Sequence, residues 1–454
     1  MPILAAPIEF PPHLHEMRAG DVDGDGIEEL VMVSRVPKGR RPDAVQLTVV
    51  DFDADGNQTG RTVHILGQKA LYWDIHEGIW AVDGDGALNI VGPASFTLSD
   101  PRIGAVRTPL GGLGPTTPAP ADIAGDFDHD GIPEVFVMGG GRIHTFSADG
   151  RARGSVPAPS DGSVSTQQRA GATQLITSTR SRPFHVADAD GDGRDDLLLP
   201  RGDRLTVHFS GENTGERREV WRLPLDLEPR KDPTQSKEGE RREVENAWFR
   251  DFDNDGKVDL LVHQWVIDGS WFGATAELSF SRGNGSGLDP AQVVRTSTAA
   301  FDVRLLDFDG DGDTDLLVPM VDIGLGNLGR ALVSRKVEVD VALFAQDDGR
   351  FATSPEILRS FAWSITDPDS VQVSLDGDIN GDGIVDLVKG DNGDQVLIFI
   401  SQNRSIPSQP TARHTTPIPK TDSPFFVRDL TGDGRAEVIV WGPGAKTGTV
   451  LRMP

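Results

Sequence analysis

Carboxylates recur at alternate positions of a nine-residue segment along this chain, a spacing that suits a loop wrapped around a hard cation. The pattern is D-x-D-x-D-G-x-x-[DE]. It reads DVDGDGIEE from Asp21, DFDHDGIPE from Asp126, DADGDGRDD from Asp188, DFDNDGKVD from Asp251 and DFDGDGDTD from Asp307. DINGDGIVD from Asp378 and DLTGDGRAE from Asp429 are close variants. Side chains at positions 1, 3 and 5 of a tight turn can converge on one point. Glycine at position 6 supplies the positive φ that a sharp reversal needs. Position 7 offers its backbone carbonyl, and the acid at position 9 is expected to close the shell as a bidentate ligand. Calcium, which takes about six to eight oxygen ligands, suits such an all-protein cage, whereas magnesium keeps its waters and suits it less.

The candidate ligands occupy positions 1, 3, 5, 7 and 9 of each copy. They are Asp21, Asp23, Asp25, Ile27 and Glu29, then Asp126, Asp128, Asp130, Ile132 and Glu134, then Asp188, Asp190, Asp192, Arg194 and Asp196. Next come Asp251, Asp253, Asp255, Lys257 and Asp259, then Asp307, Asp309, Asp311, Asp313 and Asp315. The last two sets are Asp378, Asn380, Asp382, Ile384 and Asp386, and Asp429, Thr431, Asp433, Arg435 and Glu437. Asn380 is still an oxygen donor, and Thr431 is a weaker one. A worn copy, AVDGDGALN from Ala81, keeps only Asp83 and Asp85 of its acids, so its site is expected to be weak or empty. About seven structural calcium ions are therefore expected. DFDADGNQT from Asp51 imitates the first six positions but ends in Thr59 between two strand-like runs. It reads as a hairpin tip with an Asp-Gly turn, as do SADG at Ser147 and QDDG at Gln346.

The formal net charge is −26, and 28 carboxylates occupy positions 1, 3, 5 and 9 of the eight copies. Without them the chain would sit near neutrality, so its acidity is ligand charge. No basic tract offers a surface to nucleic acid. The chain has no cysteine, hence no disulfide or thiol chemistry. Loops of this density need a calcium-rich medium, which points to the extracellular space, the cell surface or the periplasm. The start MPILAAPIEF lacks the basic and long apolar regions of a signal peptide. No apolar run is long enough to span a membrane.

A short apolar run trails each loop: ELVMV, EVFVM, DLLLP, DLLVH, DLLVP, DLVKG and EVIVW. These predict buried strands. The copies begin 45 to 71 residues apart, room for one four-stranded antiparallel sheet each. Such sheets arranged radially give an all-β fold, a β-propeller of eight blades, or seven if the unit at Ala81 is an irregular insert. The blades are expected at 12–73, 74–116, 117–180, 181–242, 243–298, 299–368, 369–420 and 421–454. The last is one strand short, so residues 2–10 are expected to join it as its outer strand and cover an open edge.

From about residue 12 to 454 the chain resembles FG-GAP/VCBS repeats, the calcium-binding blades of bacterial surface proteins and of integrin α-subunit heads. The FG and GAP flanks are nearly absent, with only VGPA at Val91 and WGPGA at Trp441 as echoes. The resemblance implies that the calcium loops share one face and that a ligand meets the other. Three segments are expected on that opposite face. QWVIDGSWFGA from Gln264 carries Trp265, Trp271 and Phe272, rings that could stack on a sugar or pack inside the blade. VDIGLGNLGRALVSRK from Val321 is glycine-rich, and LEPRKDPTQSKEGERREVEN from Leu227 is charged.

Other motifs carry less. Gly324 to Gly329 spells G-x-G-x-x-G without a helix after it. Arg201-Gly202-Asp203 falls at a strand turn. His13 and His15 would share a strand face but lack further ligands. No nucleophile, base and acid can be assembled, and Tyr72 is the single tyrosine. The expected function is a calcium-stabilised binding or adhesion module for a glycan or protein, monomeric, with calcium structural. The alternative is a polysaccharide-processing, lyase-like enzyme on the same scaffold.

Overall fold

The computed structural model describes residues 3–454 except 24, 39–40, 54–55, 66–69, 76–78, 84–86, 92–95, 100–118, 121–123, 128–133, 140–141, 148–150, 159, 170–171, 182–183, 212–216, 229–239, 269–273, 323–332, 365–371, 403 and 422. Strands succeed the loops as the apolar runs predict. Each run after position 9 is the second strand of a sheet, buried on both faces. Leu197, Leu198, Leu260, Leu261, Leu316 and Leu387 are all fully buried. A strand covered on both sides reads as continuous apolar sequence rather than alternation.

The described residues form successive antiparallel sheets in chain order. Sheet 1 holds Leu14–Gly20, Glu29–Lys38, Arg41–Phe52 and Gln58–Ile65. Sheet 2 runs from Ala70–Ile75 to Phe96–Ser99 and carries Ala119–Pro120 in parallel on its first strand. Sheet 3 runs from Ala124–Gly125 to Ala152–Pro157, and sheet 4 from His185–Ala187 to Arg217–Arg222. Sheet 5 spans Glu240–Arg250 to Gln292–Arg295. Sheet 6 spans Ala299–Ala300 to Glu356–Ser364, and sheet 7 spans Val373–Gly377 to Ala412–Thr415. The expected blade 117–180 also contains a separate two-stranded ribbon, Ser160–Arg169 paired with Ala172–Ser181. Its Ser-, Thr- and Gln-rich sequence gives no apolar period to announce a strand.

Sheet 8 is completed by the start of the chain. Leu4–Glu9 pairs antiparallel with Thr447–Arg452, from Leu4 opposite Arg452 to Glu9 opposite Thr447. The order from the loop strand outward is Phe425–Arg428, Glu437–Val440, Thr447–Arg452, Leu4–Glu9. Pro7 lacks an N–H, and an outermost strand is where a sheet tolerates that. Ile8 and Phe10 from this strand are buried with Leu14, Met17, Leu30 and Met32 of sheet 1. Truncating Ile8 to alanine should cost about 2–5 kcal/mol, read as a lower midpoint in urea.

Among the described residues, sheets 3 to 8 pack face to face in sequence. Shared apolar clusters join sheets 4 and 5, 5 and 6, 6 and 7, and 7 and 8. Ile79 packs against Val31, Val33 and Leu47 of sheet 1. Phe136 of sheet 3 meets Phe184, beside sheet 4, edge to face at 6.1 Å. Most side chains of sheet 2 lie outside the described residues. Successive antiparallel sheets, mostly four-stranded, with sheet 8 packed on sheet 1, are the architecture of a β-propeller.

Candidate metal centres

Each loop is wound around its first aspartate. The position-6 N–H donates to that carboxylate in every described copy: Gly26 to Asp21 at 2.9 Å, Gly193 to Asp188 at 2.7 Å and Gly256 to Asp251 at 2.8 Å. Gly312, Gly383 and Gly434 repeat the bond to Asp307, Asp378 and Asp429 at 3.0, 2.6 and 2.8 Å. These glycines have φ between 81° and 96°, a region closed to most side chains. Position 5 accepts from the position-7 N–H in the same way, for example Asp25 from Ile27 at 2.8 Å and Asp382 from Ile384 at 3.0 Å. Arg194, Lys257, Asp313 and Arg435 supply the same donor at position 7.

The position-9 acid is an anchor at the root of the loop. One of its oxygens accepts the N–H of position 2: Val22 to Glu29 at 2.7 Å, Phe127 to Glu134 at 2.9 Å and Leu430 to Glu437 at 2.9 Å. Where the acid is Asp, its second oxygen takes a backbone N–H from the turn after the third strand. Ser210 donates to Asp196 and Gly283 to Asp259 at 2.7 Å each, Gln346 to Asp315 at 2.8 Å and Ser401 to Asp386 at 2.7 Å. The longer Glu134 and Glu437 reach Arg153 at 3.5 Å and Arg452 at 3.3 Å instead. Position 2 is the residue that sequence reasoning passes over. Its side chain (Val22, Phe127, Ala189, Phe252, Phe308, Ile379 or Leu430) is buried in all seven complete or near-complete copies, and its unbroken apolar character is the available signal.

Burial pushes the carboxyls of Glu29, Asp196, Asp259, Asp315, Asp386 and Glu437 up to about 7, with the neighbouring loop acids adding to the shift. Unfolded, these groups titrate near 4. Between those values the metal-free fold binds more protons than the unfolded chain. Its stability should therefore fall as pH rises from about 4 to about 7 and level off above. Melts in EGTA across that range test this. Calcium should reverse the slope, because it binds the ionised form.

Several loops bring ligand oxygens together. Within each of the sets Asp21–Asp23–Glu29, Asp188–Asp190–Asp196, Asp251–Asp253–Asp255 and Asp307–Asp309–Asp311, carboxylate oxygens lie within 4.8 Å of one another. Position 3 then provides the test of fit. Asp190 Oδ1, Asp253 Oδ2 and Asp309 Oδ1 are buried with no hydrogen-bond partner, although Arg282 is ion-paired with the Asp253 oxygen. A buried, unpartnered carboxylate oxygen is costly unless a cation meets it. The residues present therefore fit a calcium ion, with hard oxygen donors converging and one of them bonded to no protein donor.

The loops also form a track on one face. The position-8 N–H of one loop donates to the start of the preceding loop. Val258 reaches the Asp188 carbonyl at 2.7 Å, Thr314 the Phe252 carbonyl at 2.8 Å, Val385 the Phe308 carbonyl at 2.9 Å and Ala436 the Asp378 carbonyl at 2.6 Å. Asp195 approaches the Asp126 carbonyl at 3.4 Å. Gly432 lies against the Ile27 side chain, so the last loop meets the first.

The other expected positions divide. Asp128, Asp130 and Ile132 lie outside the described residues, as do Trp271, Phe272, Asp85 and most of the segments from Leu227 and Val321. Trp265 is corrected. It lies within the strand Asp259–Asp268, not on a loop, and is 6% exposed. It packs on His263 and Phe301, at 5.6 and 4.9 Å between rings, and its Nε1–H donates to Glu245. The strand continues because Glu240–Arg250 runs beside it as far as Asp268. A ring buried there is core, and no ligand can stack on it. The tips at Asp51, Ser147 and Gln346 are hairpin turns: Asp53 N–H bonds the Asn57 carbonyl at 3.0 Å, Ser147 N–H the Arg151 carbonyl at 2.9 Å, and Gln346 pairs with Phe351. Arg201 pairs with Arg204 across the turn that holds Asp203. His13, with φ 59°, precedes the strand, so it does not share a face with His15.

Residues 126–199 and 246–318 match the family described as FG-GAP-like repeat. No curated protein is detectably similar in sequence. Among solved structures, the chain is similar to the Photorhabdus luminescens Tc holotoxin pore at 12% identity and a TM-score of 0.27, covering 97% of this chain and only 27% of that one. It is similar to BamB from Moraxella catarrhalis at 11% identity and a TM-score of 0.36, covering 100% and 98%. A putative 6-phosphogluconolactonase from Bacteroides uniformis matches at 13% identity and a TM-score of 0.34, covering 87% and 98%.

Proposed function

We propose that this β-propeller, of which residues 126–199 and 246–318 match the FG-GAP-like repeat, is a calcium-stabilised binding module for a glycan or protein, working as a monomer outside the cytosol. The observation that carries the calcium reading is the pair of buried, unpartnered oxygens Asp190 Oδ1 and Asp309 Oδ1 among converging carboxylates. Calcium is structural in this reading. It ties the position-1, -3 and -5 carboxylates of each loop to the anchor at position 9. Weak oxygen cages of this kind fill in media richer in calcium than the cytosol, which supports an extracellular, surface or periplasmic setting. No described helix is long and apolar enough to cross a membrane.

The ligand belongs on the face away from the loops. In sheet 6 the strand Asp315–Val321 leaves the loop at Asp315 and ends at Val321 beside Ala299, and Glu356–Ser364 runs toward that same end. Phe301 and Trp363 sit there, 42% and 41% exposed. Aromatic side chains presented in this way are common contacts for protein and sugar ligands. Replacing Phe301 or Trp363 by alanine should weaken capture of the ligand found by glycan-array and protein-binding screens about 10-fold or more, while calcium content stays unchanged. Unaltered capture by both variants would move the ligand site elsewhere.

A further inference from the structure

The unpartnered oxygens of Asp190 and Asp309 share a second feature, which Asp253 lacks because Arg282 faces its unpartnered Oδ2 directly. In both cases the other oxygen of the same carboxylate is held by an arginine from a distant part of the chain. Arg217 Nη1 donates to Asp190 Oδ2 at 2.6 Å. Arg404 Nε donates to Asp309 Oδ2. The two arginines arrive by different routes. Arg217 opens the fourth strand of the same sheet, and its guanidinium lies 3.7 Å from the centre of the Phe209 ring, which limits its freedom. Arg404 lies after the third strand of sheet 7 and reaches across to the loop of sheet 6. It does so from a left-handed backbone, φ 58°, which for a residue with a Cβ costs about 1 kcal/mol or more.

The cation beside position 3 differs from loop to loop, and among the described residues none pairs with Asp23 of the first loop. Asn380 carries no charge there, and its own amide bonds Asp382 at 3.0 Å. Thr431 carries none either, and Arg452 contacts Asp433 and Glu437 instead. Arg282 meets Asp253 and Asp255 together in the loop of sheet 5.

We propose that Arg217 and Arg404 are positioning residues for the cation. Each fixes its position-3 aspartate by the outer oxygen and so presents the inner oxygen as a single, desolvated ligand. The charge count permits guanidinium and calcium together. The loop from Asp307 holds five aspartates within nine residues, so one Ca²⁺ leaves a surplus of negative charge for Arg404 to offset from outside the shell. Partners of metal ligands of this kind orient the ligand and raise affinity. The inference rests on the calcium reading above, and the experiment separates the two.

Calcium isotherms are measured by titration calorimetry on the metal-stripped full chain, for the wild type, Arg217→Gln, Arg404→Gly and Arg404→Lys. Arg404→Gly removes the guanidinium while suiting the positive φ, so the fold is not put at risk. Each loss variant should weaken one class of site about 10–100-fold, and lysine should restore part of it. Arginines that only shield the loop acids would change the melt in EGTA and leave the isotherm alone, which would overturn the proposal. Tighter calcium binding in the variants would overturn it too, by showing that the guanidinium competes with the metal. A wild-type chain that binds no calcium would remove the calcium reading itself, and the clamp with it.

Discussion

Replacing Asp259 by alanine should destabilise the protein by about 2–6 kcal/mol, because two buried backbone N–H groups lose their acceptor at about 1–3 kcal/mol each. Those donors are Phe252, at 3.0 Å, and Gly283, at 2.7 Å. They come from the two ends of one sheet's loop system, so the side chain joins the loop to the turn after the third strand. Asp259 is 0% exposed, and water has no route to replace it. Asparagine should serve nearly as badly, since its amide would put N–H against N–H at one of the two bonds. The same holds for Asp386, which binds Ile379 at 2.9 Å and Ser401 at 2.7 Å. Urea unfolding in EGTA isolates this structural part. There Asp259→Ala should lose most of its cooperativity or midpoint, and the exposed Asp192→Asn should lose little. Equal, small effects from both would show that the anchor is not a structural joint.

Removing calcium should have the other large effect. Each site filled at about one hundred times its dissociation constant adds about 2.7 kcal/mol to the folded state, and the loops lie in one hydrogen-bonded track. Without the ion, each loop holds several carboxylates at close range with only partial relief from Arg217, Arg282, Arg404 and Arg452. Excess EGTA should therefore lower the melting temperature by well over 10 °C, taking about seven sites at the shift of about 1 °C per kcal/mol that a chain of this length gives. Readdition of calcium, and not of magnesium at equal concentration, should restore it. The metal-free protein should also melt lower at pH 7 than at pH 5, the sign set by the raised position-9 carboxyls.

Much of this architecture is legible in the sequence because it is local. Alternation of carboxylates, the glycine at position 6 and the apolar run after position 9 all lie within about a dozen residues of one another, and the structure places them as read. The outer strand Leu4–Glu9 is legible from the shortage of strands after Asp429. The features that escape are non-local or disguised. Arg404 lies 95 residues from Asp309, and no spacing rule links them. His263 and Gln264 interrupt the apolar run after Asp259, so the pattern ends the strand before Trp265. Both are buried, at 1% and 6% exposure, because a long neighbouring strand pairs with them. Phe301 and Trp363 escape because each stands alone among short-chain or apolar neighbours, and only the strand directions bring them to one end of sheet 6.

The most direct measurement is a count of calcium on the purified full chain at dialysis equilibrium with millimolar free calcium, by atomic emission of protein against dialysate, beside a chelated control. About seven ions per chain are expected, one for each complete or near-complete loop. One ion or none would contradict the calcium reading, and the repeated acids would then be turn-forming residues held by the backbone bonds they already make.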